Sequence, residues 1–288
     1  MPKGSGNGLA ANQYDPYTTF FVPGGRLRNH LSIRGGNQQW RYYVSGGHLR
    51  LAGVVPNAFF ERTSFKGVLE FKPIEKLTLG WRPNYTWSHS QRMKKGGMFS
   101  GITLGLFRSP NTFDIGNGLT GRQAADTPSS YSLPHGLQRS YRANGSYDNP
   151  FWTINRNPYF DNVHRHLQQF SVEYELAPAW TIIYRAGMDH YIDRREDAFD
   201  INSGSYPLGF LNHTRINFQH FNSDLLLRFE RSLGPDWEVK STLGHSYFTS
   251  SMAVNETRGD QLERAGVYLL SNAVHLTSQE SLLNKKIA

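Results

Sequence analysis

Residues 222–248, NSDLLLRFERSLGPDWEVKSTLGHSYF, specify the fold of this chain. Side chains of a β-strand alternate between its two faces. In that arrangement one face carries apolar side chains, namely Leu225, Leu227, Phe229, Trp237, Val239 and Leu243. The other face carries charged side chains, namely Asp224, Arg228, Glu230, Glu238 and Lys240, with Leu226 as an exception. Gly and Pro within Leu-Gly-Pro-Asp at 233–236 indicate a tight turn. The stretch therefore predicts a long hairpin with one apolar face and one charged face.

The same alternation recurs along most of the chain and predicts eight strands, with the start of a further strand at 284–288. The other predicted strands are 27–34, 40–49, 63–72, 77–88, 164–176 and 180–192. Short turns are expected near Gly35, Pro73, Pro178 and Pro235, and long loops after Leu49, Ser88, Ile192 and Phe248. The segment 97–107 is compatible with a short helix. Proline lacks a backbone donor, so Pro83 predicts a bulge or an interrupted ladder in its strand.

This regular alternation of short turns and long loops is typical of an antiparallel transmembrane β-barrel, whose short turns are periplasmic and whose long loops are extracellular. Strands of about 9 to 11 residues cross a bilayer at a tilt. Five of the six tryptophans fall mostly toward strand ends, as in aromatic girdles, namely Trp40, Trp81, Trp87, Trp180 and Trp237. The fold class predicted is all-β, a segment of about eight to nine strands from a larger barrel. The alternative is a soluble or surface β-sandwich that binds carbohydrate, whose strands also alternate.

Composition excludes several other classes of protein. The 288 residues carry a formal net charge of +8, but the Lys and Arg residues are dispersed, so we expect no nucleic-acid partner. Mean hydropathy is −0.55, and the sequence lacks the run of about 18 apolar residues that a membrane-spanning helix requires. Cysteine is absent, which removes disulfide and thiol chemistry.

No catalytic motif accompanies the strand pattern, and we expect neither an enzyme nor a bound cofactor. Ser, His and Asp are plentiful, but none lies in a nucleophile elbow. His164 and His166 fall on the same face of one predicted strand, as a metal pair would. A third ligand is not evident in the sequence, and a structural site for zinc needs four. We interpret these histidines as polar residues at a strand end.

Several stretches resemble the barrel domain of SusC/RagA-type TonB-dependent outer-membrane transporters. They are SIRGGNQQWRYYVSGG (32–47), GLFRSPNTFDIGNG (105–118), NPFWTINRNPYFDNVHR (149–165), YRAGMDHYIDRR (184–195), NSDLLLRFERSL (222–233) and TLGHSYF (242–248). The resemblance follows the order of the family across nearly the whole chain. It implies a partial barrel at 27–288, with a long extracellular loop at 90–163, after an irregular segment at 1–26.

The resemblance also implies a function. Such transporters close a 22-stranded barrel around an N-terminal plug, and they import oligosaccharides or peptides with energy relayed by TonB. A surface lipoprotein of the SusD kind covers the barrel. The strands here would be the second to the ninth, with a tenth beginning at the C-terminal end. Contact with the TonB complex is expected only through the plug region, which this segment lacks, and contact with outer-membrane lipid through the apolar face.

Two sets of residues are candidates for function. Aromatic residues in the long loop are candidates for ligand binding, namely Tyr131, Tyr141, Tyr147, Phe151, Trp152 and Tyr159. The alternative, which we favour, is that these rings pack the loop onto the barrel rim or the partner lipoprotein. Charged residues of the strands are candidates for the lumen face, in contact with the plug or the solute, namely Arg82, Glu173, Arg185, Asp224 and Arg228.

Overall fold

Nine antiparallel strands make up most of the chain in a computed structural model that describes residues 12–95, 99–142 and 147–287. The strands are β1 (Gly25–Gly36), β2 (Trp40–Ala52), β3 (Phe59–Ile74), β4 (Leu77–Gln91), β5 (Tyr159–Ala177), β6 (Trp180–Ile201), β7 (Leu208–Ser232), β8 (Glu238–Leu262) and β9 (Ala273–Ile287). The short helices are α1 (Pro16–Phe20), α2 (Ile102–Arg108), α3 (Gly121–Asp126) and α4 (Pro150–Arg156). Within the described residues, every helix is too short or too polar to span a membrane.

The nine strands form one sheet in which each strand pairs with its neighbours in the sequence. The alternative prediction of a β-sandwich is therefore wrong, because a sandwich requires two sheets packed face to face. The tight turn of the 222–248 hairpin is confirmed, since Leu233 N donates to Trp237 O at 2.9 Å. The expected interruption at Pro83 is also present. Pairing of β3 with β4 runs to Lys66 and Asn84 and resumes only at Leu69 and Trp81.

The two faces of the sheet differ in chemistry across all nine strands. The register places one exposed apolar side chain or more from each strand on a common apolar face, namely Leu31, Tyr42, Phe65, Trp81, Phe170, Tyr184, Leu225, Leu243 and Leu282. The opposite, polar face carries Arg34, Arg41, Lys66, Arg82, Gln169, Arg185, Asp224, Lys240 and Lys285. Leu31 and Leu243 are more than 70% exposed. Because exposure of apolar area to water costs about 25 cal/mol per Å², this continuous face requires an apolar environment.

Three of the four expected long loops are shorter than predicted. β2 ends at Ala52 and β3 begins at Phe59, so six residues connect them where the strand pattern predicts a loop from 50 to 62. Residues 193–201 extend β6, and 208–213 begin β7, so only six residues connect these strands. Residues 250–262 likewise extend β8, and β9 begins at Ala273 instead of near 284. The outer parts of these strands mix polar residues with adjacent apolar ones such as Phe210 and Leu211, so they lack the regular alternation on which the prediction rested. At about 3.3 Å per residue, the 25-residue β7 is about 80 Å long, far more than a bilayer crossing needs.

The long loop and the N-terminal segment differ in detail from expectation. The loop expected at 90–163 runs from 92 to 158, between β4 and β5. The helix expected at 97–107 begins later, at Ile102, and its first two positions lie outside the described residues. Residues 1–11 of the segment expected to be irregular also lie outside them. The described part contains α1, and β1 begins at Gly25.

Candidate functional site

The long loop folds into a compact unit at one end of the sheet, which we call the loop cap and define as α1 together with residues 99–142 and 147–158. Its apolar core is built from buried residues of all four helices and the segments between them, namely Phe20, Ile102, Leu106, Ile115, Ala124, Ala125, Tyr131, Phe151, Trp152 and Ile154, with Val55 from the β2–β3 loop. The cap therefore has a hydrophobic core of its own, and a smaller buried cluster lies on the outer parts of β6 to β8, namely Ala198, Leu211 and Leu262.

Helix α4 lies at the centre of the loop cap. The side chain of Asn149 caps it by accepting a hydrogen bond from Phe151 N at 2.9 Å. The amide nitrogen of Asn149 also donates to Ile115 O at 3.0 Å and to Arg139 O at 2.9 Å. Proline at the first helical position needs no donor there, so Pro150 suits the start of the helix. One buried asparagine thus joins three segments of the cap.

Polar bonds connect the cap to the loop between β6 and β7. Trp152 Nε1 donates to Ser203 Oγ at 3.0 Å, and Ser203 Oγ donates to Asn157 Oδ1 at 2.7 Å. Asp148 accepts from Gln138 Nε2 and from Gly204 N, both at 2.7 Å. Burial raises the pKa of Asp148 above its usual value, and these donors oppose that rise.

A second buried carboxylate connects the cap to the loop between β8 and β9. Asp200 is inaccessible to solvent and accepts hydrogen bonds from Gly266 N at 2.9 Å and from Arg156 Nη1 at 3.2 Å. Tyr268 donates its hydroxyl to Arg156 O at 2.9 Å and to Asp200 Oδ2 at 3.3 Å. Burial raises the pKa of Tyr268, so this hydroxyl keeps its proton and remains a donor. The loops after β4, β6 and β8 therefore form one connected surface.

Four of the six aromatic candidates for ligand binding lie inside the cap. Phe151 and Trp152 are 0% and 1% exposed, and Tyr131 and Tyr147 are at most 9% exposed. The ring of Tyr131 meets that of Trp152 edge to face at a centroid distance of 6.5 Å. These rings stabilise the fold of the cap in this conformation, and they present almost no surface to a ligand.

Tyr141 and Tyr159 are the two candidates with accessible rings. Tyr141 stacks on Tyr147 at 6.2 Å, and the exposed guanidinium of Arg142 lies 4.9 Å from the Tyr147 ring. Arg108 donates to the Tyr147 hydroxyl at 2.9 Å. Tyr159, at the start of β5, lines a separate hollow of about 260 Å³. The structure does not bring these two rings together.

The hollow beside Tyr159 contains a buried lysine that the sequence pattern does not reveal. Lys94 is 9% exposed, forms an ion pair with Asp197, and places Nζ 3.9 Å from the centroid of the Phe199 ring. Burial lowers the pKa of Lys94 to about 7, although the carboxylate of Asp197 favours the charged form. Lys94 lies three residues beyond the end of β4, in a basic stretch at 92–95 that resembles a solvated surface segment. The sequence therefore gives no signal that this lysine is buried.

The five charged strand candidates lie on the polar face, as their alternation predicts. Arg228 donates to Glu173 Oε1 at 2.9 Å across β6. Asp224 accepts from Ser246 Oγ at 2.6 Å and lies opposite Arg185 in the register. Arg82 lies on β4 opposite Gln169. Whether this face lines a solute path stays a prediction.

A hollow of about 680 Å³ lies on the polar face and is lined by β3 to β7. Five successive strands can line one hollow only if the sheet curves toward that face. Arg82, Arg185 and Asp224 belong to the lining, together with Lys66, which is not among the candidates from the sequence. Lys66 alternates correctly with Phe65 along β3, so the strand pattern is a sufficient signal to place it on this face.

The two histidines of β5, His164 and His166, lie on the apolar face of the sheet, toward the end where that face becomes polar. Tyr85 OH and His164 Nδ1 are 2.8 Å apart, and the ring of His166 lies 4.7 Å from that of Tyr85. Within residues 12–95, 99–142 and 147–287, no three His, Cys, Asp or Glu side chains are grouped for metal binding. Interfacial aromatic and polar belts have this composition.

Comparisons with known proteins give matches among solved structures alone. No protein-family model matches the sequence, and no curated protein matches it either. The RagAB peptide importer in its 'closed-closed' state matches 95% of this chain with a TM-score of 0.76 and 17% identity. Its 'open-open' state matches 94% with a TM-score of 0.75 and 18% identity, and a further RagAB peptide transporter structure matches 94% with a TM-score of 0.73 and 18% identity.

The chain has the fold of part of a RagAB importer chain. It spans 30% of the length of each matched RagAB chain. The TM-scores for the two RagAB states differ by only 0.01, so the match does not favour one state over the other. At this level of identity the likeness to RagAB establishes the fold: an all-β, antiparallel segment of a barrel wall, as the sequence pattern predicts.

Proposed function

We propose that this chain forms part of the wall and the extracellular cap of an outer-membrane, TonB-dependent nutrient transporter. The observation that carries the proposal is the separation of the two faces over all nine strands. The apolar face suits lipid, and the curved polar face suits a water-filled lumen. The likeness in fold to RagAB over 95% of the chain supports the same assignment.

Under this proposal, ligand capture belongs to the loop cap and to Tyr159 at the adjoining start of β5. Tyr141 and Tyr159 offer accessible rings next to charged groups, Arg142 and Arg92 respectively, and this combination suits sugar rings and peptide side chains. The cargo is an oligosaccharide or a peptide. The matched RagAB structures are described as peptide importers, which supports the peptide.

The remaining surface of the cap suits a partner. The loops after β4, β6 and β8 are joined by buried hydrogen bonds into one rigid surface, on which a SusD-like surface lipoprotein would dock. The TonB complex would act through a plug outside this segment. The chemistry is recognition and gating, with solute passing along the polar face.

Membrane association tests this proposal directly. The protein, at the length the cell makes it, should fractionate with the outer membrane and require detergent for extraction. Deletion of its gene should abolish uptake of a peptide or an oligosaccharide pool that the parent strain consumes. Recovery of a folded monomer in buffer without detergent would contradict the proposal, because the apolar face would then be stable in water.

Substitution of the accessible aromatics tests the assignment of the cap. Tyr141→Ala and Tyr159→Ala should each raise the KM for uptake several-fold with little change in the amount of folded transporter. The matched control is Leu137→Ala, a cap residue that is 52% exposed and non-aromatic. An equal effect of all three variants would show that general disturbance of the cap, and not ring contact with the cargo, causes the loss.

A further inference from the structure

Three cations in the 680 Å³ hollow have no carboxylate within ion-pair distance among the described residues. Lys66, Arg82 and Arg185 come from three different strands, and all three side chains are exposed into the hollow. Within the described part of the chain, none of them forms an ion pair or a side-chain hydrogen bond. A guanidinium without a partner on a concave protein face is a ready receptor for a carboxylate, which it binds with two parallel hydrogen bonds.

The acidic groups nearby are already engaged by other residues. Asp189 receives two bonds from Arg165, at 2.9 and 2.5 Å. Asp224 accepts from Ser246 at 2.6 Å. Arg165 compensates the charge of Asp189, whereas Asp224 keeps its negative charge opposite Arg185, so the lining retains three cations against one uncompensated carboxylate.

A second, smaller hollow next to the first is also lined by arginines without an ion pair and by carboxylates that pair with other residues. Its volume is about 230 Å³, and Arg82 and Arg185 line both hollows. The carboxylates of the smaller hollow are engaged as well, Glu173 by Arg228 at 2.9 Å and Glu70 by Arg41 at 3.6 Å. Positive charge is therefore concentrated where the two hollows meet, and concave walls of low polarisability focus such a field.

The backbone leaves room for polar side chains at this position. Gly187 lies between Gln169 and Asn222 in the register, and a Cβ atom there would come within 2.5 Å of Asn222 Oδ1. Glycine at this position therefore leaves the space that the side-chain amide of Asn222 occupies on the floor of the hollow. The amides of Gln169 and Asn222 line the same floor and can donate to an anion.

We propose that this hollow is a binding site for the carboxylate group of a transported solute, held by Arg82 and Arg185 with Lys66 beside them. The inference rests on the proposed transport function and adds the charge class of the cargo. Carboxylate-bearing cargo, an acidic peptide or a uronic-acid oligosaccharide, is selected over its neutral counterpart as it passes along the polar face.

Two matched pairs of probes test the proposal on the protein purified at the length the cell makes it. One pair is a five-residue peptide with a central aspartate and blocked termini, and its asparagine counterpart. The other is trigalacturonate and a neutral galactose trisaccharide. The protein should bind the acidic member of one pair about tenfold more tightly than the neutral member, and 0.5 M salt should remove most of the difference.

Charge-matched variants locate the site. The variant R82Q/R185Q should lose the preference for the acidic probe while it keeps its affinity for the neutral probe. The control R28Q/R34Q removes the same charge from the polar face of β1, outside the hollow, and should keep the preference. Equal loss in both double variants would overturn the site in favour of a general effect of net charge.

Two further outcomes would overturn the proposal in distinguishable ways. If the unmodified protein binds acidic and neutral probes equally, and R82Q/R185Q melts at a lower temperature than R28Q/R34Q, a carboxylate of the protein itself occupies the hollow, and the transport function stands. If the unmodified protein binds no probe of either pair and supports no uptake, the proposed function fails together with the site.

Discussion

Adjacent residues of β7 lie in opposite environments, one on the apolar face of the sheet and the next on the polar face. Leu227 lies on the apolar face between Ile182 and Leu243 of the neighbouring strands. Arg228 lies on the polar face and reaches Glu173. The period of two decides which environment each side chain enters, so a shift of one residue in register would exchange all of them.

Leu227→Arg should cost about 2–4 kcal/mol of stability, because it places a charge within the apolar run of β7, on the face that we propose contacts lipid. Arg228→Leu removes a partly exposed ion pair and should cost at most about 1 kcal/mol. Unfolding in urea after reconstitution into lipid vesicles measures both values. Equal losses for the two variants would contradict the assignment of faces.

Lys94 gives the loop cap a dependence on pH. Its pKa is lowered from the ordinary 10.5 to about 7, so between these values the unfolded chain binds more protons than the folded chain. The free energy of unfolding should therefore rise as pH increases from about 7 to about 10.5, and fall as pH decreases toward 7. Lys94→Met should remove this rise, since Met packs against Phe199 without a charge.

Melting temperatures at pH 7, 8.5 and 10, followed by tryptophan fluorescence in detergent, measure the effect of Lys94→Met. The side chain of Asp197 is 36% exposed although its Oδ1 is buried, so loss of Lys94 lowers the melting temperature at every pH, and the slope with pH is the quantity compared. Lys95→Met, the exposed neighbour, should leave the pH dependence unchanged. A similar slope in all three proteins would show that Lys94 is not the titrating group.

At the scale of the element, caps and turns explain why short helices persist in a long loop. Helices of five to seven residues are unstable in isolation, because the conformational entropy lost in forming the first turn exceeds the free energy gained from its few hydrogen bonds. Helix α4 is stable here because five of its seven residues are buried and Asn149 binds both its first turn and two neighbouring segments.

Asn149→Ala should destabilise the cap by about 2 kcal/mol or more, since it removes an N-cap and leaves Ile115 O and Arg139 O without this donor. Hydrogen exchange of the α4 amides measures the loss. Thr120 is the matched control, because it occupies the N-cap of α3 without a capping hydrogen bond from its side chain. Thr120→Ala should change the free energy of exchange by only a few tenths of a kcal/mol. A loss equal to that of Asn149→Ala would show that Asn149 is not the centre of the cap.

At the scale of the whole molecule, loops distant in sequence are joined into one surface. Ser100 Oγ and Ser205 Oγ are 2.8 Å apart and connect the cap with the β6–β7 loop across 105 positions. The chain contains no cysteine, so an engineered pair at these positions has no competing thiol.

Ser100→Cys/Ser205→Cys should form a disulfide on oxidation and raise the stability of the cap by about 2–4 kcal/mol, because the closed loop is long. A thiol-reactive mass label and the melting temperature before and after reduction measure the result. Ser100→Cys alone should show neither change. Free thiols in the oxidised double variant would contradict the contact between these loops.

Local patterns in the amino-acid sequence are enough to establish the class of fold, the short turns and the two faces of the sheet. These features depend on periodicity, on Gly and Pro at turns and on the alternation of side chains, all of which can be read within a window of about ten residues. For the same reason the alternation alone assigns the residues of the polar face, from Arg82 to Arg228.

Tertiary packing was needed to establish where the strands end, what the loop aromatics do and where charge is unbalanced. The outer parts of β6 to β8 lack a regular apolar alternation, and strand pairing together with the buried cluster of Ala198, Leu211 and Leu262 holds them extended. Trp152 and Lys94 are buried by segments that lie far away in the sequence. The unpaired cations of the hollow emerge only when the partner of every nearby carboxylate is known, and those partners lie on other strands.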